Sequence, residues 1–466
     1  MRATASLSFA LFSAVVLSLL TGCATGASPK LFPQYSSGSL AVAPLLPSTL
    51  DRDRINGMAV DLFVNILRND LIVDSSGPQT ADAFRLTFRG ASHVATSVSH
   101  GYGMLMLTYM AGSEDKLGFS TEDWILGSTN LKDYFDAMLR TVLQFPSAGS
   151  DLFTGLLVGY ENRAGGEYTQ ANGFKTAPFA NNSGDSNSIT DGDMDIIYSL
   201  ILADRQWGSR GPHNYIGIAR KMLAGLWENC VQRQHNFLLL GDWVNDSADS
   251  DLRNVTRTSS FMLSHLVAFK AVDSRHNWGA VIDACTGAIE EIRNSQNALG
   301  NRNGLLPDLL VFRDGGWEIA QNITGAYDNA FAYNAVTVPW RLGTSYMLLG
   351  NVPVGSSTLY DSIIKPLDDF ARTFTGGSNL SRLGPLQMNG TPIWADPDLF
   401  VPPFAVTASV AGADQRWVDT FWGYAPNPRN TDAFQGLGIY QGDASYYGDY
   451  VRMLVLLAVS GNYWMP

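Results

Sequence analysis

Cysteine is almost missing from this chain, with 3 in 466 residues. Cys23 ends an apolar N-terminal run, which leaves Cys230 and Cys285 for the body. A disulfide-built scaffold is therefore excluded. A single Cys230–Cys285 bridge stays open, because each lies in a helical pattern and spacing does not place one beside the other. Histidine is also scarce, at 6 scattered residues. No Cys/His array has zinc-ligand spacing, so no metal and no cofactor is expected. Positive charge is in the minority, 31 Lys and Arg against 43 Asp and Glu, for a net charge of −12. That balance argues against nucleic acid or an anionic membrane surface as partner. After the N-terminal run, no segment is long and apolar enough to span a bilayer.

What is present begins with Met1-Arg2 and an apolar stretch ending Leu19-Leu20-Thr21-Gly22-Cys23. A basic start, a short apolar core and small residues before a cut read as a secretory signal over residues 1–22. The ending Leu-Thr-Gly-Cys resembles a bacterial lipobox, which makes Cys23 the expected lipidation site. Ala24 and Thr25 lack an acidic retention signal, so the expected location is the outer membrane or cell surface. Membrane contact is expected through the lipid anchor alone. Residues 23–50 are rich in Pro, Ser, Gly and Ala and read as a flexible tether.

Aromatics are plentiful, with 11 Trp, 18 Tyr and 23 Phe. Many belong in the core, but an acidic chain rich in aromatic faces also suits a neutral or cationic sugar polymer, whose rings stack on such faces. Thr190-Asp191-Gly192-Asp193-Met194-Asp195 places three carboxylates in six residues, at the head of an apolar helical run ending at Trp207. Clustered carboxylates raise one another's pKa, as sites that cleave glycosidic bonds require. The plainer reading is an acidic helix N-terminus favoured by the macrodipole. Helical periodicity recurs over 56–71, 103–110, 131–143, 191–207, 214–227, 257–272, 278–292, 334–348, 357–374 and 446–459, with few strand-like runs. Long polar loops at 161–185 and 307–331 are of the kind that carries function. No repeat of fixed period and no strong boundary divides residues 51–466, so one all-α domain, expected to be a monomer, is the economical reading.

Several stretches then occur in order along the body. They are Thr190–Trp207, Gly101-Tyr102-Gly103-Met104, Leu240-Gly241-Asp242-Trp243, Thr256-Arg257 with Phe261-Met262, and Gly304-Leu305-Leu306-Pro307-Asp308. Tyr333-Asn334-Ala335 with Pro339-Trp340-Arg341, Tyr446-Tyr447 and Ser460-Gly461-Asn462-Tyr463-Trp464 follow. Together they resemble glycoside hydrolase family 8, the inverting β-glycanases that include endoglucanases, chitosanases and xylanases. The resemblance implies an (α/α)6 barrel, a six-hairpin toroid, with a sugar groove across one end. It also implies a polysaccharide partner of the β-glucan, chitosan or xylan class.

The same resemblance exposes two departures. The family's proton donor is a Glu three residues before Gly-Tyr-Gly-Met, and here that position is Val98. A two-residue gap would align His100 with the acid instead. The family's common general base is the Asp of Tyr-Asp-Ala, and here it is Asn334; chitosanase-like members also carry Asn there and draw a base from the preceding loop. That loop offers Asp314, Glu318 and Asp328, of which Asp328 is nearest. Asp191, which in the family contacts and distorts the sugar at the cleavage point, survives. An inverting glycosidase needs an acid and a base about 6.5–9.5 Å apart. Three readings follow. The first is a lipid-anchored hydrolase with relocated carboxylates, with Asp191, Asp193, Asp328, His100 and position 334 as its catalytic candidates. The second is an inactive polysaccharide-binding or scaffolding protein on the same fold. In both, Tyr102, Trp243, Tyr333 and Trp340 would line the groove, unless they are barrel packing. A lyase ranks last, since no cluster of Arg or Lys accompanies the acidic segment to clamp a uronate.

Overall fold

The computed structural model describes residues 28–34, 39–75, 77, 80, 82–89, 94–147, 150–153, 156–159, 169–171, 174–177, 179–181, 187–244, 250–412, 414–424 and 446–466. Cys23 and the signal segment 1–22 lie outside them, as does most of the 161–185 loop.

Twelve α-helices alternate between two layers among the described residues. In chain order they are α1 Arg52–Asp70, α2 Ser97–Tyr109, α3 Leu131–Gln144, α4 Thr190–Trp207, α5 Tyr215–Cys230 and α6 Leu263–Val272. They continue as α7 Trp278–Ala298, α8 Val338–Leu349, α9 Lys365–Thr375, α10 Pro397–Val410, α11 Gln415–Trp422 and α12 Tyr446–Val459. The even-numbered helices form the inner ring: α2 packs on α4, α4 on α6, α6 on α8, α8 on α10, α10 on α12, and α12 back on α2. The odd-numbered helices lie outside that ring. The architecture is an (α/α)6 barrel.

Sequence separates the layers. In α2 nearly every residue from Ser97 to Tyr109 is buried, and α6 is buried from Leu263 to Phe269. A helix apolar on all sides must be enclosed. Outer helices such as α3 bury one face and start at Asx caps: Asp51, Asn130, Asn214, Asn277 and Asp414 each accept a backbone N–H of the first turn of α1, α3, α5, α7 and α11. The inner helices α4, α6, α8 and α10 have no side-chain cap. These helices start at the end of the barrel where the acidic segment sits.

Two helices were hidden by composition. α10 holds Pro402 and Pro403, which read as breakers in the sequence. Pro402 cannot donate to the Asp398 carbonyl, and Nη2 of the buried Arg452 donates to it instead at 3.3 Å. Short α11 was the second. The expected helix 257–272 starts only at Leu263, because Arg257 belongs to a strand. That strand, Val255–Arg257, is the edge of a three-stranded antiparallel sheet with Leu309–Arg313 and Gly316–Ile319, in register Arg257↔Leu309 and Val311↔Glu318. A small second core of Phe237, Leu239, Leu240, Val255, Leu309 and Val311 lies beneath it.

Residues 28–34 and 39–50, expected to be tether, instead lie against the barrel. Lys30 N donates to Gln206 Oε1 at 2.7 Å, Phe32 N to Ala111 O at 2.7 Å and Gln34 N to Asn462 Oδ1 at 2.7 Å. Val42 N donates to Met347 O at 3.0 Å and Leu45 N to Ser409 O at 2.7 Å. Phe32 is buried. The segment thus straps the C-terminal ends of α2, α4, α8, α10 and α12, supplying donors to carbonyls that a helix end leaves open. Pro and Ser marked it as irregular, and irregular is not the same as loose.

Candidate functional site

At the other end, the start of α2 meets the start of α4 at glycine contacts. A Cβ on Gly192 would come within 2.5 Å of the Ser97 carbonyl carbon and the Val98 nitrogen, and one on Gly101 within 2.8 Å of Asp195 Cβ. Thr96 and Ser99 close a reciprocal capping box that fixes the first turn of α2. Val98 is therefore held directly beside Gly192, next in sequence to Asp191, and is half-buried. Its isopropyl group has no proton to give.

Asp191 stands in the first turn of α4, where a carboxylate is favoured by the helix dipole. Ser259 Oγ donates to its Oδ2 at 3.0 Å, and Arg257 Nη1 to its Oδ1 at 3.4 Å. The Arg257–Asp191 pair keeps side-chain exposures of 18% and 14%, so it is sheltered but reachable. Neither Arg257 nor Ser259 was assigned a role from sequence, although Thr256-Arg257 was one of the recurring stretches.

The other two carboxylates of the segment serve the interior. Asp195 is fully buried and takes a two-pronged contact from Arg341, Nη1 to Oδ1 at 2.8 Å and Nη2 to Oδ2 at 2.5 Å. His265 Nε2 adds a bond to Oδ1 at 3.1 Å. Burial works against the Asp195 charge, but Arg341 and His265 outweigh it and hold the carboxyl below its usual range. The Arg341 guanidinium lies 3.9 Å from the Trp340 ring centroid and 5.3 Å from that of Tyr102. Asp193 is also fully buried; its Oδ1 accepts from Phe153 N at 3.2 Å. Burial pushes its pKa well up, with Asp242 nearby adding to the effect. The structure places it in the core, closed off from solvent.

His100 is likewise removed from the chemistry. It is buried between Thr87, whose Oγ1 is 2.9 Å from Nδ1, and the Met138 carbonyl, 3.1 Å from Nε2. Burial drives its pKa down to about 3, so the ring stays neutral. Asp328 fails for a different reason. Its carboxylate accepts from Ile323 N at 2.6 Å, Thr324 N at 2.7 Å, Thr324 Oγ1 at 2.8 Å and Gly325 N at 3.1 Å. With its lone pairs taken up by that turn, it organises a loop and is not placed to activate water.

Asn334 is tied to a carboxylate that sequence reasoning passed over. Asp308 Oδ2 accepts from Asn334 N at 3.1 Å and Nδ2 at 3.0 Å, and Oδ1 accepts from Ala332 N at 3.0 Å and Ala335 N at 2.7 Å. Burial raises the Asp308 pKa, against the pull of those four donors. The Asp308 carbonyl in turn accepts from Thr258 N at 3.2 Å, one residue before Ser259. Asp191, Ser259, Thr258, Asp308 and Asn334 thus form one connected wall. Asp308 shapes the segment around Asn334 from behind, a role signalled only by its place in the Gly304–Asp308 stretch.

The four aromatic candidates divide. Tyr102 and Trp340 are 2% and 1% exposed and pack edge-on at 5.6 Å, so both are barrel core. Trp243 is half-buried against the small core, folded over Gly241. Tyr333 is 46% exposed, with its hydroxyl 3.3 Å from Asp396 Oδ2. Cys230 and Cys285 are both buried and unpaired. No cluster of His, Cys, Asp or Glu among the described residues could hold a metal ion.

With that geometry in place, the kinship is specific. The sequence profile described as glycosyl hydrolases family 8 matches residues 174–344. The chain is a relative of that family. A "Beta-glucanase" of Niallia circulans is 29% identical over 371 residues, 79% of this chain and 77% of the relative. An "Endoglucanase" of Bacillus sp. (strain KSM-330) is 26% identical, covering 94% of this chain and 82% of the relative. Among solved structures, the apo β-1,3-1,4-glucanase from Paenibacillus sp. X4 superposes with a TM-score of 0.73 at 26% identity, over 94% of this chain and all of that one. A cold-adapted family 8 xylanase in complex with substrate, 14% identical with a TM-score of 0.63, shares the fold.

Proposed function

We propose that this protein recognises β-linked polysaccharide across the Asp191 end of its barrel, and that recognition rather than hydrolysis is what its described residues are built for. The observation that carries this reading is the pair of vacated positions: Val98 packed against Gly192 where a proton donor would stand, and Asn334 bonded to Asp308 where a base would stand. General acid–base help is worth roughly 10²–10⁴-fold for each role. The relocated candidates His100, Asp193 and Asp328 are each committed elsewhere. Asp191 with Arg257 and Ser259 keeps a polar centre suited to sugar hydroxyls. The glucan- and xylan-directed names of the relatives support a polymer of that class.

Hydrolysis is the second reading, favoured by the retained Asp191 setting and by kinship with enzymes. Lipidation at Cys23 belongs to the proposal too, on the strength of the Leu-Thr-Gly-Cys stretch, and would anchor the protein in a bacterial envelope. The test is to measure polymer binding and reducing-end release together, on β-1,4-glucan, mixed-linkage glucan, xylan and chitosan. Asp191→Asn serves as control. Binding without release, weakened in the variant, is expected. Release that the variant abolishes would instead establish the hydrolase.

A further inference from the structure

The strap over the closed end of the barrel carries no charge: no Asp, Glu, Lys, Arg or His stands between Lys30 and Asp51. Its outward side is apolar as well. From Ala41 to Leu46 exposure alternates, with Ala41, Ala43 and Leu45 facing out and Val42, Pro44 and Leu46 half-buried. That is the two-residue period of an extended chain laid on a surface. Leu31 is 54% exposed and Leu45 37%, so two of the four exposed leucines among the described residues lie on this one segment. A leucine exposed singly needs no account, but an uncharged apolar face marks an interaction surface.

The face is held flat against the helix ends. A Cβ on Gly112, just after α2, would come within 2.7 Å of Leu31 Cβ, and one on Gly350, just after α8, within 3.4 Å of Ala41 Cβ. Gln415 Nε2 donates to Leu46 O at 2.8 Å, and Ser48 N to Asp419 Oδ1 at 2.7 Å. The backbone is thus spent on the barrel, and apolar side chains are what the strap offers outward. The way the chain reaches this face says what covers it. Arg205 Nη1, in the last turn of α4, donates to Ser28 O at 2.8 Å, so Ser28 sits at the C-terminal end of that helix. Cys23 is five positions earlier, and a chain of that length reaches at most about 18 Å. Asp191 lies about 21 Å from Arg205 along the same helix. A lipid on Cys23 therefore keeps a bilayer within reach of the strap and short of the Asp191 end.

We propose that the strap face of Leu31, Ala41, Ala43 and Leu45 rests on the lipid bilayer that holds the Cys23 anchor, so that the barrel stands with its Asp191 end turned away from the membrane. Membrane contact then extends beyond the anchor itself, and polymer approaches from the side opposite the lipid. The apolar area adds to the anchor's hold, as a second signal does for lipidated proteins. The proposal rests on the lipidation reading of Cys23.

The test puts a nitroxide on the lipidated full chain, through Leu31→Cys, Leu45→Cys or Tyr333→Cys, in vesicles of phosphatidylcholine and phosphatidylethanolamine. It reads collisions with oxygen, which concentrates in lipid, and with a water-soluble nickel complex. Cys230 and Cys285 are buried and stay unlabelled. The Leu31→Cys and Leu45→Cys labels are expected to meet oxygen and lose contact with nickel, and the Tyr333→Cys label to do the reverse. Adding Leu45→Asp should return the Leu31→Cys label to water. Both leucines are exposed, so these variants should keep the wild-type unfolding temperature. If the two strap labels meet nickel as freely as the Tyr333→Cys label, on a chain that Cys23→Ser releases from the vesicles, the face is overturned and the anchor stands. A Leu31→Cys label that stays in lipid despite Leu45→Asp would overturn the apolar contact and leave only a short tether. A mature chain without lipid on Cys23 by mass spectrometry would overturn both readings.

Discussion

The two ends of the inner ring are finished in opposite ways. At the C-terminal end, carbonyls at Ala111, Met347 and Ser409 are capped by backbone donors of the strap, and Phe32 is buried beneath it. At the N-terminal end, α4, α6, α8 and α10 begin without side-chain caps, and Asp191 and Tyr333 remain open to solvent in part. One end is closed by the strap, and the other presents a partly exposed carboxylate and an exposed aromatic ring. Between the ends, the buried Asp195–Arg341 pair holds α4 to α8.

Breaking the closed end should have the largest effect. Deleting residues 28–50 removes a buried Phe and several backbone bonds, and is expected to cost about 5 kcal/mol of unfolding free energy in a denaturant titration. Glycan affinity measured below the unfolding transition should be unchanged, because the strap does not reach the Asp191 end. Next is Arg341→Ala, which strands a buried carboxylate and should cost roughly 3–5 kcal/mol by the same titration. Gly192→Ala, a clash with the backbone at Ser97 and Val98, should cost about 1–3 kcal/mol. Unlike the strap deletion, it should also weaken glycan binding, since it displaces Asp191.

The smallest effect concerns pH. Burial raises the Asp193 pKa, so the folded state keeps a proton that the unfolded state loses near pH 4. Its contribution is full below the unfolded value and is lost as pH rises through the folded one. Asp193→Asn should therefore flatten the decline in unfolding temperature as pH rises above about 4. His100 acts on the acid side. Its pKa is depressed to about 3, so its neutral burial favours the fold above pH 6.5 and that support is lost as pH falls toward 3.

The barrel was legible because its inner helices carry long apolar runs, and the order of short matching stretches named the architecture. α10 was not legible, since Pro402 and Pro403 outweigh an apolar pattern until Arg452 is seen to satisfy the freed carbonyl. In the site, the structure places Asp191 in the first turn of α4 with its side chain still 14% exposed, and the absence of a proton donor at Val98 is a matter of one residue's chemistry. His100, Asp193 and Asp328 could not be placed from sequence. Whether a polar side chain faces the groove, the core or its own loop depends on partners such as Met138, Phe153 and Thr324, distant or local, that no spacing rule reveals. Tyr102 and Trp340 illustrate the same limit, because aromatic residues serve cores and grooves alike.

The measurement that bears most directly on the account is reducing-end release from the panel of β-linked polymers by the wild-type chain and by a Val98→Glu/Asn334→Asp double variant, alongside polymer binding. Binding without release in the wild type, with release appearing in the variant, is the predicted result. It would mean that the barrel still presents a glycan correctly and lacks only the two proton-transferring groups. Release by the wild type that Asp191→Asn abolishes would contradict the account and place an acid and a base elsewhere in the chain.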